Sequence, residues 1–328
     1  MARFPSVSGE RTAGLDYCTG CHQCQLACPH GVEIVSLIEE AKIKAGKKKG
    51  YSFRDWIFGH NQWVSRWASL VPNVTNHILS CRFIRVLMEM MLGIKNRPFP
   101  RYQKPFSGHN SGTKSGDLKV AYFTGCYSRF NEPAIAQSVV SILENCGVEI
   151  VVPPQKCCGV PLVSNGLTKE AEKNARFNRE ILGKLADQGF LIVTSCPSCA
   201  LRLKEEEKIA AKVYDICEFL LDYHLLDQKR FSPDKKRYFY HQPCHAEAQG
   251  IGLPALKLLE LIPELTMVSG EQKCCGQAGT YGFKKEKYQT SAAIGKKLFQ
   301  DVARADVDGV VTDCGMCSLQ LSEGTGKK

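Results

Sequence analysis

Two segments, KCCGVPLVSNG from Lys156 to Gly166 and KCCGQAGTYGF from Lys273 to Phe283, each set two thiols side by side ahead of a glycine. Successive side chains of an extended segment point to opposite sides, so adjacent thiolates do not easily share one tetrahedral zinc. A multi-iron cluster has several metal corners, and neighbouring thiolates can reach different irons or bridge two. The glycine then permits a left-handed turn or a close approach of backbone to the cluster. Each pair belongs to a larger set: Cys126, Cys157, Cys158, Cys196 and Cys199 recur in the same order as Cys244, Cys274, Cys275, Cys314 and Cys317, at a period near 118 residues. Five thiolates per set exceed the four of a regular cubane, which predicts an irregular iron–sulfur cluster. The alternative is a set of buried or vicinally oxidised cysteines.

A third motif stands ahead of these. Cys18, Cys21, Cys24 and Cys28, followed by Pro29, fit C-x2-C-x2-C-x3-C-P, the bacterial ferredoxin spacing in which a tight loop wraps three thiolates around one cubane. Two other readings compete: Cys18, Cys21 and His22 also spell the haem-attachment sequence C-x-x-C-H, and C-x2-C is common in zinc knuckles. In two-cluster ferredoxins the fourth cysteine of each run ligates the other cluster, and this chain has one such run. A 4Fe-4S cluster here therefore needs an unusual fourth ligand or a partner run from elsewhere.

The chain has 328 residues with 17 cysteines, and its hydrophobic and charged fractions of 44% and 23% are ordinary globular values, so two or three domains are expected, each with its own core. The N-terminal stretch MARFPSVSGERTAGLDY is polar and broken by Pro5 and Gly9, unlike a secretory leader, so a reducing cytoplasm is expected, where many cysteines point to metal or redox chemistry. The net charge of +10 is uneven: residues 1–104 hold fifteen Lys and Arg against seven Asp and Glu. The basic stretch AKIKAGKKKG reads as a helix end and a solvated loop, or as attraction to an anionic membrane surface; no nucleic-acid partner is expected.

Strands must deliver these thiols. Each first cysteine of a set ends an apolar run, KVAYFTGC or RYFYHQPC, and each C-x2-C pair follows another, FLIVTSC or GVVTDC. Such β-branched and aromatic runs read as buried strands. Between them AIAQSVVSILENCG, KEAEKNARFNREILGKLADQG, ALKLLELI and YQTSAAIGKKLFQDVARA carry the helical period. Alternating strand and helix predicts an α/β fold of tandem duplicated units with parallel sheets, the cysteines lying at the carboxyl ends of strands. The expected domains are 1–50, a small α-helical ferredoxin-like part that is incomplete by the spacing argument above; 51–117, an amphipathic helical segment ending in the Gly- and Ser-rich linker 109–117; 118–232, the first repeat; and 233–328, the second.

Other residues are secondary. Cys81, Cys146 and Cys217 lie in helical patterns and read as core. His241 and His245 flank Cys244 and either donate to cluster sulfur or satisfy a backbone carbonyl, the second being expected. Lys284, Lys285 and Lys287 offset cluster charge or are solvated. Gly276, Gly279 and Gly282 do not form G-x-G-x-x-G after a strand, so no nucleotide site is expected.

The spacing C-x30-CCG-x36-C-x2-C and its second copy, C-x29-CCG-x37-C-x2-C, resemble the cysteine-rich CCG domain family, which includes the catalytic component of heterodisulfide reductase and the iron–sulfur components of glycolate oxidase and of anaerobic glycerol-3-phosphate dehydrogenase. KCCGVPLVSNGLTKEA, CCGQAGTYGFKKEKYQTSAAIGKKLF and VVTDCGMC look most like the last branch. The resemblance implies an electron-transfer subunit that takes electrons from flavoprotein dehydrogenase subunits and delivers them toward the menaquinone pool, with one or two noncubane 4Fe-4S clusters on the ten CCG-set cysteines. Members of that branch usually carry two ferredoxin runs and extend beyond the last C-x2-C; here the chain begins inside the spacer before the second run. The heterodisulfide reductase branch implies the alternative, reduction of a disulfide at a noncubane cluster; a zinc-stabilised interaction module is a third reading. No stretch reaches the 18 or so apolar residues of a membrane span. Phe53, Trp56, Ile57, His60, Trp63, Val64 and Trp67, with ILSCRFIRVLMEMML after them, form amphipathic patterns suited either to peripheral attachment at the cytoplasmic face of the inner membrane or to packing on a protein.

Overall fold

The structure, a computed structural model, describes residues 14–49, 51–108, 118–271 and 273–327. The expected linker 109–117 lies outside them. Strands β1 (Lys119–Phe123), β2 (Glu149–Val151), β3 (Leu191–Thr194) and β4 (Val213–Asp215) form one sheet in the order β2-β1-β3-β4. Strands β5 (Arg237–His241), β6 (Thr266–Ser269) and β7 (Gly309–Thr312) form a second, in the order β6-β5-β7. Every pairing is parallel, so each connection must cross over, and helices make the crossings. The fold is mixed α/β, a repeat of one parallel unit.

The central strands read as continuous apolar runs because both faces are covered. Val120 and Tyr122 pack with Val140, Leu143 and Phe219 on one side of β1. Ala121 and Phe123 pack on the other with Leu182, Ile192 and the thiols of Cys157, Cys158 and Cys199. Helix Thr168–Asp187 covers this second face by burying Ala171, Ala175, Asn178, Leu182 and Ala186, the spacing of one helical stripe. Its counterpart Lys285–Arg304 buries Ser291, Gly295, Leu298 and Val302. The repeats share core: Leu258, from helix Pro254–Leu259 of the second, joins the cluster holding Phe219 and Leu220 of the first.

The front part is helical and differs in detail from expectation. The basic stretch does not end its helix early: Ile34–Lys49 runs through it, consistent with the helix-forming tendency of lysine. The Trp-rich pattern divides into Phe53–Gly59 and Asn61–Ala68 at His60, where ψ turns to 37°. The second pattern divides into Pro72–Ser80 and Arg82–Leu92 at Cys81, which is extended. Cys81 is exposed at that junction and is not a core residue; Cys146 and Cys217 are half-buried.

These helices are fastened to the repeats by polar contacts. Arg54 donates to both carboxylate oxygens of Glu286, at 2.9 and 2.6 Å, and Lys284 pairs with Asp55 at 2.8 Å. Arg97, buried, donates to Gln277 Oε1 at 2.7 Å, Gly282 O at 3.0 Å and Gln320 Oε1 at 2.8 Å, pairs with Glu323 at 2.5 Å, and lies over the Phe283 ring. Lys284 is thus committed to an ion pair and not to offsetting cluster charge.

Candidate metal centres

In the first repeat the thiols come from three strand ends. Cys126 lies in the first turn of helix Gly125–Phe130 after β1, Cys157 and Cys158 lie in the loop after β2, and Cys196 caps helix Pro197–Lys204 after β3 with Cys199 in its first turn. Parallel strands bring these ends to one edge, which is why residues up to 73 positions apart in sequence meet. Side-chain hydrogen bonds link them as a chain: Cys126 to Cys157, Cys157 to Cys158, Cys158 to Cys199 and Cys199 to Cys196.

The second repeat reproduces this order. Cys244 meets Cys274, Cys274 meets Cys275, Cys275 and Cys317 lie 3.1 Å apart, and Cys317 meets Cys314. The glycine after each pair is left-handed, φ 98° at Gly159 and 84° at Gly276. At Gly276 a Cβ would also lie 2.0 Å from the Ser291 carbonyl oxygen, so the loop is pressed against helix Lys285–Arg304.

Crowding splits the thiol acidities. Hydrogen bonds from thiol to thiol hold the pKa of Cys157, Cys199 and Cys317 well above the ordinary cysteine range, with burial adding to the effect. Cys275, hydrogen-bonded to Cys274 and Cys317, is held well below it. Ten soft sulfur donors in two groups of five, half of them buried and the other half half-buried, suit a thiophilic metal, and five per group exceed the tetrahedral demand of one zinc. The residues fit a multi-iron cluster at each site.

The N-terminal run meets the second repeat. Cys21 is hydrogen-bonded to Cys274, which with burial raises its pKa strongly. His245 Nε2 donates to Gly20 O at 3.0 Å, which leaves Nδ1 to accept from Ser198 Oγ–H at 2.7 Å. His245 thus satisfies a carbonyl, and burial keeps it neutral by lowering its pKa. Gln23 reaches Glu247, and Lys287 lies 4.7 Å over the Tyr17 ring. Cys18 and Cys28 are half-buried and Cys24 is exposed. Among the described residues, no three thiols of this run lie within 4.8 Å of one another.

Three residues outside the motifs shape the sites. Gln62 accepts from the Cys157 N–H at 2.7 Å, and Arg97 holds Gln277, two residues beyond Cys275. Tyr127 of the first repeat lies against Gly315 of the second, where a Cβ would come within 2.0 Å of its ring. None carries a sequence signal, since each acts across a long separation. A cavity of about 150 Å³ opens where the three parts meet, lined by Thr19, His22, Ser198, His245, Thr280 and Cys314 among others.

The family described as cysteine-rich domain, CCG, matches residues 120–204 and 238–322, the two segments that carry the matched thiol chains. The chain belongs to the cysteine-rich CCG domain family. The likeness of this CCG protein to known relatives extends beyond the two repeats. Against the C subunit of the anaerobic glycerol-3-phosphate dehydrogenase of Escherichia coli (strain K12) the chain is 31% identical over 321 residues, covering 90% of this chain and 79% of that protein. Against an uncharacterized iron–sulfur protein of Methanococcus maripaludis it is 30% identical over 318 residues, 94% of this chain and 57% of the other. Against the D subunit of the dihydromethanophenazine:CoB–CoM heterodisulfide reductase of Methanosarcina barkeri it is 27% identical over 223 residues, 62% and 54% of the two chains.

Proposed function

We propose that this CCG protein is an iron–sulfur electron-transfer subunit of a complex of the anaerobic glycerol-3-phosphate dehydrogenase type, taking electrons from flavoprotein subunits and passing them toward menaquinone. The observation that carries this reading is the matched pair of five-thiol chains with Cys21 of the N-terminal run against Cys274. Cys126, Cys157, Cys158, Cys196 and Cys199 would hold one noncubane four-iron group, and Cys244, Cys274, Cys275, Cys314 and Cys317 another. Cys18, Cys21, Cys24 and Cys28 would hold a 4Fe-4S group. Iron–sulfur groups supply one-electron chemistry when bound. The chain's own part is to bury the thiols, set their order and keep the N-terminal run against the second repeat. The similarity to the C subunit of the Escherichia coli dehydrogenase supports this branch.

Peripheral attachment to the cytoplasmic face of the inner membrane belongs to the same proposal. Among the described residues no helix is long and apolar enough to cross a membrane. The front helices instead expose Phe53, Trp63, Trp67, Phe83, Met90 and Met91 with Arg66 and Arg82 among them, a composition that suits lipid headgroups.

The test begins with iron, zinc and acid-labile sulfide per chain on anaerobically prepared protein, with low-temperature EPR on the same sample. Iron matched by sulfide and a signal unlike a regular cubane is the expected result; stoichiometric zinc without sulfide would overturn it. Reduction of those centres by glycerol 3-phosphate, only when the flavoprotein subunits are added, then tests the branch.

A second reading is disulfide reduction, as the name of the Methanosarcina relative indicates for that protein. The cavity bordered by Cys314 and His245 favours it by placing a half-buried thiol of the second CCG site at an opening. Turnover of a disulfide by the isolated chain with reduced viologen would select this reading over the relay.

A further inference from the structure

The two CCG sites differ at one matched position. Phe123 pairs in register with Thr194 between β1 and β3, and His241 pairs with Thr312 between β5 and β7. The two residues stand 118 positions apart, the repeat period, and each is the last residue of its central strand. In the first repeat Phe123 packs in one apolar cluster with Cys157, Cys158 and Cys199. In the second, His241 takes that place, close to Cys275 and Cys317, the counterparts of Cys158 and Cys199.

His241 is 3% exposed, and its Nε2 has no hydrogen-bond partner among the described residues. Leaving a ring nitrogen buried and unpaired is unfavourable, a cost that phenylalanine at the same position avoids. A ring nitrogen of His241 and the thiols of Cys275 and Cys317 all lie within 4.8 Å of one another, and this is the one trio of that kind among the described residues. Imidazole and thiolate together suit iron.

We propose that His241 is an iron ligand at the second CCG site, acting with Cys275 and Cys317, so that the two CCG sites are chemically unequal. The inference rests on the reading of these sites as iron–sulfur centres. Phe123 offers no donor, so the first site is ligated by sulfur alone. The pair of sites is then a sulfur-only centre followed by a mixed sulfur and nitrogen centre, and it is the mixed one that Cys21 adjoins.

The experiment is pulsed EPR on anaerobically prepared full-length chain, in whichever of the oxidised and dithionite-reduced states is paramagnetic, with and without 15N-histidine labelling. Iron and sulfide are assayed first, so that absence of the clusters, which would sink the iron–sulfur reading itself, is distinguished from failure of this inference. The expected result is a strong nitrogen coupling that changes with the isotope and is lost in His241→Phe. With the clusters present, a wild-type spectrum showing only weak coupling or none would overturn the inference. So would a His241→Phe protein that keeps the strong coupling. Should that variant fail to fold, the labelled wild-type spectrum read beside Phe123→His, expected to add a second strong coupling, still decides.

Discussion

The backbone N–H of Cys157 donates to Gln62 Oε1 at 2.7 Å, and Gln62 Nε2 donates back to Gln155 O at 3.2 Å. One side chain of the front helices thus holds the chain entering the first CCG loop at two points. Arg97 does the corresponding service at the second, through Gln277 and Gly282. The front helices are part of the frame of both thiol sites.

Arg97→Met should therefore cost more than a surface substitution. It keeps the apolar stem but leaves Gln277 Oε1 and Gln320 Oε1 without the Arg97 donor, and removes the cation paired with Glu323, which keeps the Tyr288 hydroxyl. Removing one partner of a buried charged network costs about 3–5 kcal/mol, and thermal unfolding of the two proteins side by side reads the difference. A melting temperature unchanged by the substitution would mean that the network is not formed in solution.

The two CCG glycines should respond unequally to alanine. Both are left-handed, which costs an L residue about 1–2 kcal/mol. At Gly159 the added methyl finds Ala171 Cβ at 3.5 Å, an ordinary contact. At Gly276 it would lie 2.0 Å from the Ser291 carbonyl, so helix Lys285–Arg304 must move. Gly276→Ala is expected to lose the iron of the second site while Gly159→Ala keeps the full complement, measured as iron per chain.

Asp215 gives a pH dependence. Burial, with the nearby Asp313 charge adding to it, raises its pKa from the ordinary 3.8 to about 7. The folded state holds a proton that the unfolded chain releases near pH 4, so the stability from this group is fully present below that point and is lost as pH rises through 7. The loss is at most about 4 kcal/mol. Asp215→Asn keeps an acceptor for the Cys217 N–H at the start of helix Ile216–Asp222 and removes the carboxylate. Urea midpoints at pH 6 and pH 8 should fall with pH in the parent and less steeply in the variant, where Asp313, its pKa also raised by burial, remains; equal slopes would show that this carboxyl does not titrate in the range.

The aromatic face predicts lipid binding. Trp63 and Trp67 are 53% and 57% exposed on helix Asn61–Ala68, with Arg66 between them. Co-sedimentation with vesicles containing anionic phosphatidylglycerol should be strong at low salt and fall roughly thirtyfold in Trp63→Ala/Trp67→Ala, since each buried aromatic is worth about 1 kcal/mol and about 1.4 kcal/mol is a factor of ten. Parent protein that ignores such vesicles would assign the face to a protein partner.

Much of this was legible in the residues themselves. The duplication, the strand runs ahead of the first and fourth cysteines of each set, and the two parallel sheets follow from local pattern, because buried parallel strands are written as short apolar runs and crossover helices as amphipathic ones. The membership of Cys126, Cys157, Cys158, Cys196 and Cys199 in one group, and of the later five in another, could be read from their order alone. What order could not supply was contact across long separations. Tertiary packing decided that Cys21 meets Cys274, that Gln62 and Arg97 brace the CCG loops, and that Cys81 faces outward where two helices part. It also separated the two histidines beside Cys244, giving His245 two hydrogen-bond partners and leaving His241 Nε2 with none among the described residues. Spacing along a chain fixes which side chains share a strand or a helix face; only the docking of one element on another determines which of them can share a metal.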